Sequence, residues 1–314
     1  MTLLLQYTLI FASVLMLVAL GGCFAERSGV INIGLEGIMV IGALGGAFVM
    51  KFLPASVGAF PMVMLTILAS ALFGLVFSLF LAIAAISFKA DQTITGTAMN
   101  MLATAGATVI VKAMNTAASG GNDVSSDIAY TQTKDLLIVR MGQFEFNWFM
   151  LVALICLVAA YVILYKSTFG LRLRACGEHP QAAASVGISV QKMRYSGVLI
   201  SGLLGGLGGI VYITAGVSVW KFENGVAGFG FLALAVMIFG GWHPLRIALA
   251  ALLFGFLRAL GNVYFGFDFL MKLNIPGVVY NMLPYILSLV VLAFTSKKSR
   301  APKAAGIPYD QGTR

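Results

Sequence analysis

The chain has 314 residues, 60% of them hydrophobic and 10% charged, where soluble domains average about 45–50% and about 25%. Mean hydropathy is +0.97, and the apolar stretches run past the roughly 20 residues needed to cross a bilayer, without the short alternating strands of a barrel. A soluble enzyme or binding module is therefore excluded. So is nucleic-acid binding as the meaning of the formal net charge of +9, because the basic residues sit in connections and at the C-terminus, where cytoplasmic positive charge is expected.

The expected fold is all-α, a polytopic helical membrane protein. Apolar blocks fall near residues 3–23, 35–50, 62–87, 93–112, 147–165, 195–216, 225–241, 246–263 and 279–295. They predict nine transmembrane helices, or eight to ten if an early block is broken or re-entrant. Residues 1–295 form one transmembrane domain, and 296–314 a basic tail. Leu20-Gly21-Gly22-Cys23 loosely resembles a lipoprotein cleavage box, but no Lys or Arg precedes it. A cleaved signal needs a basic leading region, so 3–23 reads as the first transmembrane helix.

Next comes Glu26-Arg27-Ser28-Gly29-Val30-Ile31-Asn32-Ile33-Gly34-Leu35-Glu36-Gly37, with three glycines and an Asn where a helix should start. Two readings stand. One is a broken helix beginning near Asn32, with freed backbone groups lining a cavity. The other is an ordinary turn, with Glu36 placed favourably in the first helical turn. Further on, Asp91 or Thr93 can cap the next helix. Asn100 lies about two turns into it and needs a partner, either an interhelical hydrogen bond or a polar wall of a pathway.

The connection 113–146 carries Asp123, Asp127, Asp135 and Glu145 against Lys134 and Arg140, so it lacks a positive excess. The connection 168–194 is basic, with Arg172, Arg174, Lys192 and Arg194 beside Glu178 and His179. Its middle predicts a very short helix: Pro180 suits the first helical position, Ala182 to Ala184 favour helix, and Gly187 can close it in the left-handed conformation. Such a small-faced helix between basic flanks is a candidate docking knob.

Gly202, Gly205, Gly206 and Gly209 have the spacing that lets helices approach closely. They are not a nucleotide loop, which needs a preceding strand and a GxxxxGK[ST] pattern. A second small-residue helix covers 225–241, with Asn224 and Phe229 as candidates for ligand contact. Arg258 stands on an otherwise apolar helix and is expected to snorkel to the outer surface. The tail holds Lys297, Lys298, Arg300 and Lys303, which puts the C-terminus in the cytoplasm. Counting back, 168–194 and 242–246 face the cytoplasm, while 113–146 and the N-terminus face outside. Cys23, Cys156 and Cys176 have no metal or redox spacing, and His179 and His243 no ligand spacing. No catalytic residue, metal site or cofactor is expected.

ERSGVINIGLEGIM, DQTITGTAMN, FGLRLRACGEHPQAAASVGI, SGLLGGLGGIVY and GFGFLALAVMIFGGWHPLRIALAALLFGF together resemble the permease subunits of bacterial ABC importers. That broad family serves branched-chain amino acids, simple sugars and nucleosides. The ERSGxxNIGLEG stretch and the FGGWHP turn are most similar to the nucleoside branch, which pairs with a basic-membrane-protein-type lipoprotein. The resemblance implies a subunit in the bacterial inner membrane that translocates nucleosides by alternating access, with no enzymatic activity of its own. It implies three protein partners: a cytoplasmic ABC ATPase, a second homologous permease and an extracytoplasmic substrate-binding lipoprotein. It makes the stretch Gly170 to Gly187 the coupling element, with Arg172, Arg174, Glu178, Ala183 and Gly187 as the residues expected to carry it. The expected pathway residues are Asn32, Glu36, Asn100 and Asn224. The alternatives are the same machine carrying branched-chain amino acids or sugars, or an ion-coupled secondary transporter. The latter would need intramembrane acids or histidines, and here Glu36 is nearly alone.

Overall fold

The structure is a computed structural model describing residues 2–141, 144–215, 217–295 and 301–310. Long helices dominate: α1 (Thr2–Arg27), α2 (Leu35–Phe52), α3 (Ala59–Ala82, extended by a π-helical turn over Ile83–Ser87) and α4 (Gln92–Ser119). An irregular excursion follows, with β1 (Asp127–Ala129), the single turn α5 (Thr131–Lys134), β2 (Ile138–Met141) and β3 (Phe144–Asn147). Then come α6 (Trp148–Lys166), α7 (Thr168–Glu178), α8 (Pro180–Ser185), α9 (Val190–Thr214) and β4 (Val219–Lys221). The chain continues with α10 (Phe229–Phe239), α11 (Pro244–Val263), α12 (Asp268–Lys272) and α13 (Gly277–Thr295). Two small antiparallel ribbons are present, β1 on β4 and β2 on β3.

Local chemistry sets several boundaries. The Asp91 carboxylate accepts from the Ile94 N–H at 2.8 Å and starts α4; Gly120, at φ 64°, ends it. Asn147 and Ser167 cap α6 and α7 in the same way. Pro180 and Pro244 stand at the first turns of α8 and α11, where a missing N–H costs nothing. Gly187, at φ +83°, closes α8 as its sequence suggests.

Among the described residues, seven helices are long and apolar enough to cross a membrane, and two shorter apolar helices accompany them, Phe229–Phe239 and Gly277–Val290. These nine cover the nine predicted blocks. The block 225–241 needs a correction. Only its second part is helical, and eleven residues rise about 16 Å, roughly half a bilayer. Its first part is unwound because Gly225, Ala227 and Gly228 all have positive φ. The connection 168–194 also differs from expectation. It holds two helices rather than one short one, and α9 begins inside it at Val190.

α9 is the axle of the fold and the most enclosed of the seven long helices. Its glycines let three helices close on it. A Cβ on Gly206 would strike the Ser70 backbone of α3, one on Gly42 of α2 would strike Gly206, and one on Gly209 would meet the Met39 carbonyl of α2. A Cβ on Gly208 would fall on Val18 of α1. In a medium as apolar as the side chains, such close backbone approach replaces the hydrophobic drive as the source of helix association.

The two ends of the bundle differ. At one, Gln6 near the start of α1 donates to Glu145, and Thr133 donates to the Met50 carbonyl at the end of α2. At the other, the elbow end, the Arg27 terminus of α1 meets α7 and the 240–244 turn. The alternation agrees with the chain order read from charge. Lys297, Lys298 and Arg300, which carry much of that orientation argument, lie outside the described residues. Residues 301–310 dock on the elbow end: the Ala304 N–H donates to the Gly177 carbonyl (2.8 Å), and Lys89 pairs with Asp310 at 3.0 Å.

Candidate functional site

The first candidate region is the elbow end. Glu26 and Arg27, adjacent at the end of α1, bond the same residue in opposite senses. The Trp242 indole N–H donates to Glu26 at 2.6 Å, and the Arg27 guanidinium donates to the Trp242 carbonyl at 3.1 and 3.2 Å. The turn that offers that carbonyl requires Gly241 and Trp242 both at positive φ, 60° and 54°. Arg27 also lies 3.6 Å from Glu178 of α7. The ER and GGW motifs, more than two hundred residues apart, are thus two halves of one knot that ties α1 to the α10–α11 turn and to α7. No spacing rule in the sequence links them.

Five residues were expected to couple this region to a motor. Arg172 is exposed on α7. Arg174 turns inward, bonding the Gly170 carbonyl and lying 4.6 Å over the Tyr165 ring. Glu178 is in the knot. Gly187 is exposed, with open space where a Cβ would go. Ala183 is buried against Cys176 and Val190, so it is a packing residue of the α7–α8–α9 junction rather than part of the outer face. Burial pushes the Cys176 thiol up from its ordinary value, which suits a packing role. The outward face of α8 is instead Gln181, Ala182, Ser185 and Val186, continued by Leu171 of α7. Val186 is 74% exposed, and sequence pattern alone did not single it out.

Sequence alone places Arg194 at the end of the 168–194 connection. It stands in the first turns of α9 and is only 1% exposed. Its Nη1 donates to the Ile307 carbonyl at 2.9 Å, while Nε and Nη2 are buried without an acceptor. Gly29 leaves room for it, since a Cβ there would lie 2.9 Å from Nη2. Residues 304–309 therefore act as a strap across the elbow.

The second region lies inside the bundle, where α2 and α10 begin. The first N–H groups of α2 do not face open space. The Asn100 side chain of α4 accepts from the Gly37 N–H (2.8 Å) and donates to the Ile33 carbonyl (3.0 Å), closing the break. Asn32 is fully buried, donating to the Ser201 hydroxyl at 2.8 Å, with its Oδ1 unpartnered. Glu36 caps the other half-helix: its two oxygens accept from the Gly228 and Gly230 N–H groups, each at 2.7 Å. A carboxylate at the positive end of α10 is held there by geometry and by the helix dipole. Three of the four expected pathway residues thus gather at the two helix starts. Asn224 does not join them and is exposed at the approach to the unwound segment.

Arg258 corrects the sequence reading most clearly, because it does not snorkel. It sits between the Phe11 and Phe229 rings, 5.9 and 5.6 Å from their centres, and donates to Asn281 of α13 at 2.7 Å. Tyr212 of α9 packs on Phe229 with ring centres 4.4 Å apart, and the Tyr285 hydroxyl donates to the Ala227 carbonyl.

Outside the membrane, Lys112 and Lys221 hold the Glu223 carboxyl below its ordinary value, at 2.6 and 3.3 Å. Partial burial pushes the His243 imidazole down, and Arg246 and Arg27 act in the same direction. Among the described residues, no group of three His, Cys, Asp or Glu side chains could hold a metal ion.

Comparison with known proteins fits this architecture. The family described as the permease component of the branched-chain amino acid transport system matches residues 4–294. The guanosine ABC transporter permease protein NupQ of Bacillus subtilis is 42% identical over 98% of this chain and 96% of its own. The nucleoside ABC transporter permease protein NupC of Lactococcus lactis is 37% identical over 96% and 94%. A putative glucose ABC transporter permease protein, TsgC13 of Haloferax volcanii, is 32% identical over 82% and 76%. No solved structure matches. With the family matched almost end to end and the broken helices packed around a glycine-lined axle, the chain belongs to the branched-chain amino acid transport system permease family of ABC transporters, as a transport component rather than an enzyme.

Proposed function

We propose that this chain is the membrane-spanning permease subunit of an ATP-driven nucleoside importer of the bacterial inner membrane, working by alternating access. The observation that carries the cargo is near end-to-end similarity, at 42% and 37% identity, to permeases named for guanosine and for nucleosides. The partners are a cytoplasmic ABC ATPase, a second homologous permease and an extracytoplasmic substrate-binding lipoprotein. The elbow end is cytoplasmic in this reading, with the α7–α8 pair receiving the ATPase. The knot of Arg27, Glu178 and Trp242 supports this, because it joins α7 to α1 and to the turn before α11. A push on α8 therefore reaches the membrane helices through packed and bonded groups. Arg172 and Gly187 lie on the exposed side of this device; Arg174, Glu178 and Ala183 hold it together. The pathway runs past the two helix starts near Asn32, Glu36 and Asn100, with Asn224 at its outer approach.

Uptake of labelled guanosine by cells expressing the subunit with its ATPase, second permease and binding protein tests the reading. Uptake is expected to require ATP, to survive collapse of the proton gradient, and to be competed by nucleosides. Competition by leucine or glucose but not by nucleosides would overturn the cargo. Persistence without ATP would overturn the motor.

A further inference from the structure

Arg258 lies inside a membrane span and has no carboxylate to neutralise it. Glu36, the acid of the same interior, spends both oxygens on the Gly228 and Gly230 amides. Among the described residues no ion pair includes Arg258. A charged side chain at such depth is costly and is by default a functional group with a partner to be named. Its depth follows from helix rise. Arg258 is fourteen residues beyond Pro244, about 21 Å from the elbow end, hence in the half of the bilayer nearer the β1–β4 ribbon.

The cluster has too many donors. Arg258 carries only N–H groups, so Asn281 must turn its Oδ1 toward it and its NH₂ away. The Arg258 Nε is buried without an acceptor, even with the Tyr212 hydroxyl beside the guanidinium. A buried unmet donor is destabilising unless something supplies the missing acceptor. Around these donors stand flat apolar surfaces, the Phe229 ring backed by Tyr212. The unwound Gly225–Gly228 backbone passes alongside, and irregular backbone at this depth is tolerated where it is enclosed by protein or lines a cavity. Tyr285, 36% exposed, and Ala227, also exposed, form the open side.

We propose that Arg258, positioned by Asn281, reads the cargo and selects 6-oxopurine nucleosides. This rests on the nucleoside reading above. A 6-oxopurine offers O6 and N7 as adjacent acceptors, the pair a guanidinium fork matches in two bonds, whereas adenine offers an amino donor beside N7. The aromatic wall takes the flat face of the base. Neither contact asks for an anionic cargo.

The test is initial uptake of guanosine, 7-deazaguanosine, adenosine and guanosine monophosphate by the complete importer, comparing wild type with Arg258→Met and Asn281→Ala. Membrane levels of each variant are measured alongside. Discrimination by the binding protein is common to all and cancels between them. In Arg258→Met the guanosine-to-adenosine ratio is expected to fall roughly 5- to 150-fold, the range for one lost bidentate base contact. Loss of N7 should slow wild-type uptake and leave Arg258→Met indifferent. If Arg258→Met fails to insert, Asn281→Ala carries the test, with a smaller fall in the same ratio. An unchanged ratio in inserted protein overturns the proposal while leaving nucleoside import intact. Faster uptake of the monophosphate than of guanosine overturns it in favour of an anion site. No uptake of any nucleoside by wild type overturns the functional reading itself.

Discussion

Glu36 is the residue on which the interior of the bundle can be tested most directly. Its two oxygens each accept a backbone N–H at 2.7 Å from the first residues of α10. A hydrogen bond to a charged group is worth roughly 1.5–3 kcal/mol net. In Glu36→Gln one oxygen remains and an NH₂ group faces the other amide, so one such bond is lost. The opening free energy of the Gly228–Gly230 segment should drop by about that amount. At a factor of ten per about 1.4 kcal/mol, the Gly228 and Gly230 amides should exchange with deuterium about 10- to 150-fold faster. Glu36→Ala loses both bonds and should roughly double the free-energy change. The assay is hydrogen exchange read by mass spectrometry on purified protein in nanodiscs, following the peptide that contains residues 228–231. The α9 glycines serve as the internal standard, since their packing does not involve Glu36. If a correctly inserted Glu36→Gln protein exchanges these amides at the wild-type rate, the carboxylate does not anchor α10 and the capping account is wrong.

Four further outcomes follow from the elbow end. Ala183→Leu forces bulk into the junction with Cys176 and Val190 and should cost about 1–3 kcal/mol by overpacking, seen as a lower Tm in detergent. Val186→Asp, on the exposed face, should leave Tm unchanged but weaken co-purification with the ATPase, and normal co-purification would refute the assignment of faces. Arg194→Met removes a buried charge that has a single acceptor. Replacing a poorly compensated buried ion with an apolar group of similar size is often neutral or stabilising, so Tm should hold or rise while residues 301–310 become open to limited proteolysis. Finally, His243 has its pKa held below the unfolded value of about 6.5. Protonation therefore favours the unfolded chain, so its neutral state carries no penalty above that value and stability is lost as pH falls below it. His243→Gln should flatten this acid-side slope in thermal unfolding between pH 7 and pH 5.

Membrane character, the number and order of helical blocks and the alternation of ends were legible because each depends on a local property. Hydropathy over about 20 residues marks a span, and successive spans joined by short connections must alternate in direction. The short helix from Pro180 to Gly187 was legible for the same reason, since proline at a helix start and glycine past its end act within a few residues. The glycines of α9 announced close packing by their spacing, though not that α1, α2 and α3 would be the neighbours. What the tertiary structure decided was the partner of each polar group. Asn100 and Glu36 became caps for helices distant in sequence. Ala183 turned inward while Val186 turned out, and Arg194 went under the strap. Arg258 stayed in the bundle because Asn281 of another helix and two aromatic rings were there to hold it. A residue type states which bonds it can make. Only the packing of helices far apart in the chain determines which of them it does make.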